Sequence, residues 1–272
     1  MKVAGFGPSG HEDPRRRPTR AGGGASREAR VVTYVLVHGG GSTGRFWDRL
    51  VPLLPDRALT VDLPGRGSHP ADLATITVDD EVASVVGDIR TADVADPIVL
   101  VAHSSGGLVV PGVVSALEGL VERIVLNAAL VPPEGGCGLD GMQPRHAEGL
   151  AAAVETAKAE GTVITLPGAP ADPEQFRNAY GADPLDDDDL AFAVDPVRCV
   201  PDTVHHYFQP VHWSLARGVP VTYVLNERDR PIPPELQEEM ILRLPDPPDV
   251  VRLATGHLPA VTNPELLAKT VA

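Results

Sequence analysis

Short apolar runs recur along the chain between longer stretches that have helical spacing. Six runs are apolar at consecutive positions rather than at alternate ones: 31–37, 58–61, 97–102, 122–126, 219–225 and 249–253. Strands that are apolar on both faces are typical of parallel sheets covered by helices on both sides. The runs therefore predict a mostly parallel central sheet.

Between the predicted strands, apolar residues return every three or four positions. This spacing predicts helices over 43–54, 78–90 and 107–118, with further helices at 146–159 and 263–272. Strands and helices alternate, which indicates an α/β fold with a doubly wound sheet flanked by helices.

The alternation stops between residues 131 and 216. This segment has no convincing pair of strands and is too long for a plain loop. We expect a mostly helical cap over the carboxyl edge of the sheet, where open α/β sheets bind ligands. The core would then comprise residues 31–130 and 217–272. Residues 1–30 are polar and rich in Gly, Pro and Arg, which predicts a disordered extension without an export signal.

Composition narrows the classes of function. The 272 residues carry a net charge of −14, which argues against a nucleic-acid partner because phosphate binding needs a basic surface. No apolar stretch approaches the ~18 residues of a membrane span. The two cysteines, Cys137 and Cys199, are too few for a disulfide framework and match no metal motif. We expect a cytoplasmic protein with no membrane partner, and a homodimer stays open.

The segment VAHSSGG directly follows the third predicted strand and contains two adjacent serines. A nucleophile elbow needs small residues two positions before and two positions after the nucleophile. Ser104 has Ala102 and Gly106 there, whereas Ser105 has His103 on one side. The spacing favours Ser104 as a nucleophile, and an ordinary strand-to-helix turn is the alternative.

The first predicted strand runs into the glycine-rich sequence VHGGGSTGRFW. Glycines between a strand and a helix let backbone N–H groups point into open space, as in an oxyanion hole. We expect the amide of Gly40, with Gly41 as the alternative, and the amide of Ser105 to bind the oxyanion. A plain turn or a phosphate loop is the other interpretation, but the spacing matches neither phosphate-binding motif.

A serine nucleophile needs a base, and the base needs an orienting carboxylate. His257 follows the last predicted strand and is the only histidine after His212. Asp229, with Glu227 close by, follows the fifth predicted strand. The order Ser104, Asp229, His257 is one of the known chain orders of a Ser–His–Asp triad.

The motifs HGGGSTGRFW, DLPGRGSHP, AHSSGG, NERDRPIP and ATGHLPAVTNPE resemble those of the α/β-hydrolase superfamily. They are most similar to the small cofactor-free branch that includes plant salicylate-methyl-ester esterases and hydroxynitrile lyases. The resemblance covers roughly residues 31–272 and is weak in the cap. It implies that Ser104 is the nucleophile, His257 the base and Asp229 its orienting acid, with no cofactor. The implied activity is hydrolysis of a small carboxylic ester or lactone through an acyl-enzyme.

Two other functions stay open for the same fold. A hydroxynitrile lyase would resemble relatives that carry a lysine directly after the catalytic histidine. Here Leu258 follows His257, and the chain has only three lysines. The second alternative is a non-catalytic module that binds small ligands, which the complete set of triad residues argues against.

Several further residues are candidates for the substrate pocket. His38 and His103 lie at strand ends, where structural roles are favoured over contact with substrate. In the cap, Tyr207, Phe208 and Trp213 either line an acyl pocket or pack in the interior. The spacing of His206 and His212 is wrong for a zinc face on a helix, so we predict no metal site.

Two polar segments have structural interpretations. Asp62 and His69 are expected to shape the loop after the second strand. The acidic run Asp186–Asp189 is expected to be a solvated loop, because it lacks the pattern of a calcium loop.

Overall fold

The computed structural model describes Met1, residues 31–180 and residues 185–272. The predicted disordered extension, apart from Met1, and residues 183–184 of the acidic stretch lie outside the described residues. The central element is a six-stranded sheet in which every pair of neighbouring strands is parallel. Its strands are β1 (Thr33–Val37), β2 (Arg57–Val61), β3 (Ile98–His103), β4 (Val121–Asn127), β5 (Val221–Asn226) and β6 (Asp249–Leu253), in the order β2-β1-β3-β4-β5-β6.

Eight α-helices accompany the sheet in the described residues. They are α1 (Val78–Thr91), α2 (Val110–Ala116), α3 (Pro144–Glu160), α4 (Pro173–Tyr180), α5 (Asp187–Ala193), α6 (Pro234–Ile241), α7 (Pro259–Thr262) and α8 (Pro264–Val271). The predicted α/β fold with a mostly parallel sheet is confirmed.

The sheet is apolar on both faces because neighbouring side chains on a strand point in opposite directions. Val35 and Val37 pack on one face with residues of α1 and α2, while Tyr34 and Leu36 pack on the other with residues of α7 and α8. This double burial explains why the strand runs show no alternation of apolar and polar residues.

The order of the strands reverses direction at β1. The chain leaves β1 for β2 on one side, and then returns to place β3 on the other side. In open α/β sheets, the loops after the two strands at such a switch point diverge and leave a crevice. The glycine loop after β1 and the two serines after β3 therefore meet at one crevice.

The segment between β4 and β5 contains helices α3, α4 and α5. Short 3₁₀ helices lie at Gly138–Gly141, His205–Phe208 and Trp213–Ala216. Leu166 and Asp202 form an isolated antiparallel bridge within this segment. Among the described residues, none of the helices combines the length and apolar character that crossing a lipid bilayer requires.

Two predicted helices differ from the observed ones. Residues 43–54 form two short 3₁₀ helices, Gly44–Trp47 and Val51–Leu53, instead of one long helix. Pro52 starts the second of them, and a proline inside a longer helix would remove a backbone hydrogen bond. The helix after β3 begins only at Val110, because a 3₁₀ turn at Ser104–Leu108 precedes it.

Truncating Leu100 tests the central packing. Leu100 of β3 is fully buried in the cluster under α1 and α2. We expect Leu100→Ala to lower the free energy of unfolding by about 3 kcal/mol, since the cavity left behind cannot fill completely. Urea unfolding measures this change.

Leu242 is the matched control, because its side chain is 85% exposed. Leu242→Ala should change the free energy of unfolding by less than about 0.5 kcal/mol. Equal losses in the two variants would contradict the assigned packing.

Candidate active site

Ser104 stands at the sharp turn between β3 and the following 3₁₀ turn. Its backbone is in the left-handed region, with φ of 53°. A non-glycine residue there is strained, and such strain at a strand-to-helix turn lifts the side chain out of the sheet. The backbone carbonyl of Ser104 accepts a hydrogen bond from Leu130 N–H at 2.8 Å, which ties the turn to the end of β4.

The glycines after Ser104 allow the turn to pack closely on its neighbours. A Cβ at Gly106 would lie 2.6 Å from the carbonyl oxygen of His38, and one at Gly107 would collide with the backbone of Leu130. The requirement for a small residue two positions after Ser104 therefore has a direct cause in the contact between Gly106 and His38.

The structure brings Ser104, His257 and Asp229 together in one hydrogen-bonded line. Nε2 of His257 lies 3.1 Å from Oγ of Ser104, and Nδ1 lies 2.6 Å from Oδ2 of Asp229. Because the carboxylate can only accept, Nδ1 carries the proton and Nε2 is left to accept from the serine hydroxyl. The side chain of Asp229 is fully buried, so little water competes for it.

A second histidine holds the backbone of His257. Nε2–H of His103 donates to the carbonyl oxygen of His257 at 2.9 Å, and the His103 ring stacks on Phe46. Burial, together with the nearby His257, holds the pKa of His103 well below its usual range. His103 therefore stays neutral and acts as a fixed donor.

A glutamine from α6 braces the turn that carries Asp229. Nε2–H of Gln237 donates to the carbonyl oxygens of Asn226 and Ile232, on either side of the aspartate. Oδ1 of Asp229 also accepts from Ile232 N–H at 2.8 Å. Thr255 links the same turn to the loop of His257, since its hydroxyl donates to Oδ1 of Asn226.

The glycine loop after β1 lies directly against the serine turn. A Cβ at Gly39 would be 2.8 Å from Cβ of Ser104, and one at Gly40 would be 2.7 Å from Oη of Tyr207. The N–H of Gly41 donates to Oδ2 of Asp202 at 2.8 Å. This amide is therefore engaged, and the expectation of Gly41 as an alternative oxyanion donor is wrong.

Two cavities meet at Ser104. The larger has a volume of about 400 Å³ and an aromatic wall formed by Phe46, Phe176, Tyr180, Phe192 and Tyr207. The smaller has a volume of about 270 Å³ and is mainly aliphatic, with Leu130, Met142, Leu150, Pro231 and Ile232 in its wall. Ser104, Leu166 and Tyr207 line both cavities.

The candidate pocket residues separate into two groups. His103 and Tyr207 line the larger cavity, whereas His38, Phe208 and Trp213 line neither of the two. Trp213 is buried in the core beneath α2, and Phe208 is partly exposed to solvent. His38 thus has the structural role that was favoured for it, and Trp213 takes the interior-packing alternative. Phe208 does neither of the two things expected of it, since its side chain faces solvent and lines neither cavity.

The polar side chains of these loops hold nearby backbone groups through hydrogen bonds. Asp62 accepts hydrogen bonds from the N–H groups of Gly44 and Ser68, as expected for a residue that shapes the loop. The acidic run is not a plain loop: Asp186 caps α5 by accepting from Asp189 N–H, and the other acids occupy its first turn. Negative charge there is favoured by the helix dipole.

A metal site was tested from the side chains present. Among the described residues, no group of three or more His, Cys, Asp or Glu side chains lies close enough together to hold a metal ion. Cys137 and Cys199 are free thiols.

Comparison with a family model assigns the fold. The model of the alpha/beta hydrolase family matches residues 34–270. The chain belongs to the alpha/beta hydrolase family. The match confirms the resemblance carried by the sequence motifs.

Curated relatives of this alpha/beta hydrolase are distant but extend over most of its length. Alpha/beta hydrolase nvfD of Aspergillus novofumigatus is 25% identical over 226 residues, which cover 79% of this chain and 83% of that protein. The pimeloyl-[acyl-carrier protein] methyl ester esterase of Methylococcus capsulatus is 26% identical over 257 residues, covering 87% and 92%.

Solved structures show the same fold. An extracellular alpha/beta-hydrolase from a Paenibacillus species, described as sharing homology with tobacco salicylic acid binding protein 2, has a TM-score of 0.70 and 22% identity, covering 88% of this chain and 96% of that one. A pyrethroid hydrolase from Sphingobium faniae has a TM-score of 0.71 and 20% identity, covering 89% and 96%. At these identities the likeness establishes the fold alone.

Three residues that support the site could not be identified from the sequence. Gln237 lies on a helix that carries no motif, and Asp202 and Tyr180 lie in the segment between β4 and β5. Burial raises the pKa of Tyr180 to about 12, so its hydroxyl stays neutral beside the ring of His257. Gln237 is one of four polar residues in α6, and a single sequence does not reveal which of them is buried.

The pH dependence of stability tests the environment of His38. Nδ1–H of His38 donates to Gly39 O and Nε2 accepts from Leu63 N–H, so a second proton has no acceptor. Burial and the charge of Arg66 lower the pKa of His38 to about 4. The unfolded chain binds this proton near pH 6.5, so stability falls by about 3 kcal/mol as the pH drops from 6.5 towards 4.

The non-ionisable variant His38→Asn separates this contribution from other groups. It should be less stable than the wild type at pH 7, yet its unfolding free energy should fall less steeply between pH 7 and pH 4.5. Urea titrations at several pH values measure both slopes. Parallel slopes would show that His38 does not titrate as described.

Proposed function

We propose that the chain hydrolyses small carboxylic esters through a covalent acyl-enzyme. The observation that carries the proposal is the hydrogen-bonded line from Ser104 through His257 to Asp229, placed where two cavities meet. A serine, a histidine that can accept its proton and a buried carboxylate form the set of groups that acyl transfer needs.

In the first half-reaction, Oγ of Ser104 attacks the ester carbonyl while its proton passes to Nε2 of His257. The buried carboxylate of Asp229 stabilises the imidazolium that forms. Negative charge develops on the carbonyl oxygen, and the backbone N–H groups of Gly40 and Ser105 are proposed to donate to it. When the tetrahedral intermediate collapses, Nε2–H gives its proton to the departing alcohol.

In the second half-reaction, water replaces the alcohol. His257 accepts a proton from the water as the water attacks the acyl carbonyl, and the same two amides stabilise the second tetrahedral intermediate. The proton then returns to Oγ of Ser104 as the carboxylic acid leaves. A lactone follows the same path, with the acyl and alcohol groups joined in one ring.

The walls of the two cavities suggest an ester that is apolar on both sides of the carbonyl. The chain has five Phe, four Tyr and two Trp, and five of these side chains line the larger cavity. Flat rings favour contact with other aromatic surfaces. The smaller cavity has an aliphatic wall that suits an alkyl chain.

The relatives favour ester hydrolysis over the alternatives. The Methylococcus relative is a methyl ester esterase by name, and it aligns with most of this chain. The related cyanohydrin lyases carry a lysine directly after the histidine, yet Leu258 follows His257 here and no lysine of the described residues lines either cavity. The intact hydrogen-bonded line argues against a module that only binds ligands.

The cytoplasmic location stays part of the proposal and is supported by the two free thiols.

Substitution of the two adjacent serines tests the mechanism. Ser104→Ala removes the nucleophile and should lower kcat for p-nitrophenyl acetate by at least about 10³-fold. Ser105→Ala keeps the backbone amide and should lower kcat less than about 10-fold. A fluorophosphonate probe should label the wild type and Ser105→Ala but not Ser104→Ala.

Circular dichroism of each variant provides the control for folding. Turnover that persists in folded Ser104→Ala would reject the acyl-enzyme. A larger loss in Ser105→Ala than in Ser104→Ala would show that the nucleophile is the wrong serine.

Narrowing one cavity tests the assignment of the substrate groups. Leu150→Trp should lower kcat/KM for p-nitrophenyl hexanoate at least about 10-fold more than for the acetate, because the added ring occupies the space of the alkyl chain. Assays of both esters with both proteins give this ratio directly. An unchanged ratio would place the alkyl chain outside the smaller cavity.

A further inference from the structure

Four ionisable side chains form a buried cluster outside the triad. Nη2 of Arg66 pairs with Glu81 at 3.1 Å and also with Asp202, and Nδ1 of His206 lies 2.9 Å from Glu81. The side chains of all four are at most 1% exposed. Removing charges from water is expensive, and such groups are often replaceable by apolar ones without loss of stability. The cluster therefore calls for a role other than stability.

The cluster is balanced in charge. Burial alone would raise the pKa of Glu81, but His206 and Arg66 hold it below its usual value. Burial alone would lower the pKa of His206, but the Glu81 carboxylate raises it. With His206 protonated, two cations face two carboxylates.

Asp202 connects this cluster to the glycine loop. Its Oδ1 pairs with Arg66, and its Oδ2 accepts from Gly41 N–H at 2.8 Å. The carbonyl oxygen of Gly41 accepts from Val200 N–H at 2.9 Å. Both backbone groups of Gly41 are thus held by one short segment of the cap, and Gly41 itself has φ of 66°.

Fixing Gly41 also limits its neighbour Gly40. The peptide unit between them contains the Gly41 N–H that Asp202 holds, so this plane cannot rotate while the hydrogen bond persists. On its other side Gly40 is confined, because a Cβ there would lie 2.7 Å from Oη of Tyr207 and 3.1 Å from Oδ2 of Asp202. The Gly40 N–H belongs to the preceding peptide unit, which is joined at the Gly40 Cα to the plane that Asp202 holds.

We propose that Asp202, held by Arg66, is a positioning residue that aims the Gly40 amide at the carbonyl oxygen of a substrate bound to Ser104. The inference rests on the proposed ester hydrolysis and adds to it a role for the cap. The cap completes the oxyanion site through Asp202 and Val200, besides lining the cavities.

Kinetics of two variants test this role. Asp202→Ala frees the Gly41 amide and should lower kcat for p-nitrophenyl acetate about 10- to 100-fold with KM within about 2-fold, since a misdirected oxyanion donor weakens the transition state alone. Asp202→Asn keeps an oxygen that can accept from Gly41 N–H, so it should lose less kcat. On a logarithmic scale, its loss of kcat should be less than half of the loss in Asp202→Ala. Rates are expressed per active site, counted by complete fluorophosphonate labelling.

A transition-state analogue separates positioning from general damage. A trifluoromethyl ketone adds to the serine and forms an oxyanion, so its Ki in Asp202→Ala should rise by the same factor as kcat/KM falls. The Kd of the corresponding alkyl ether, which forms no oxyanion, should be unchanged. If Asp202→Ala does not fold, Arg66→Lys, which keeps the cation but has a shorter reach than the Nη2 that binds Asp202, takes its place in both measurements.

Asp62→Asn is the matched control, because Asp62 is also a carboxylate that holds a glycine amide of the same loop, that of Gly44. It should lower the melting temperature while kcat per site stays within about 2-fold. The positioning role would be overturned if folded Asp202→Ala kept the wild-type kcat per site and the wild-type Ki. It would also be overturned if Asp62→Asn lost as much kcat per site as Asp202→Ala. A wild type that neither labels at Ser104 nor cleaves esters would overturn the proposed function, and this inference with it.

Discussion

The strained backbone at Ser104 is the constraint on which the rest of the site depends. A left-handed conformation at the end of a buried parallel strand is unfavourable, and it persists only where the surroundings determine it more strongly. Here the surroundings are backbone atoms: Leu130 N–H holds the serine carbonyl, and the loops after β1 and β4 press on the two glycines that follow. Ser104 is thus held by the packing of three neighbouring strands.

The sheet distributes the remaining groups around that turn. Residues at the ends of β1, β3, β5 and β6 reach one edge because all six strands run parallel. Two of these loops are then held by hydrogen bonds from uncharged side chains. His103 donates to the backbone of His257, and Gln237 donates to the backbone on either side of Asp229. Neutral hydrogen bonds suit this task, since they fix geometry without adding charge beside the imidazole that must gain and lose a proton.

The strands of the core and the residues Ser104, His257 and Asp229 could be predicted from the sequence because the patterns that mark them are local. Consecutive apolar residues gave the strands to within two residues at every end, and the small residues around Ser104 lie within one heptapeptide. The single helix predicted over 43–54 is wrong because apolar residues recur there at helical spacing, while Pro52 limits the segment to two short 3₁₀ helices.

Aromatic character left two interpretations open for Trp213 and Phe208, because it favours burial and contact with substrate alike. Asp202 could not be identified from the sequence, since its partners Gly41 and Arg66 lie far away along the chain. Gln237 could not be identified because nothing in the sequence distinguishes it from the exposed glutamates beside it.

The contact between the cap and Gly41 divides the cap into two parts with different freedom to change. Helices α3 to α5 supply side chains to the cavity walls, and their sequence can drift with the substrate. The stretch from Val200 to Asp202 binds both backbone groups of Gly41, and the bridge between Asp202 and Leu166 ties this stretch to the earlier part of the segment. Substitutions in α3 to α5 that leave Leu166 and residues 200–202 in place would therefore change the cavity walls without moving the glycine loop after β1.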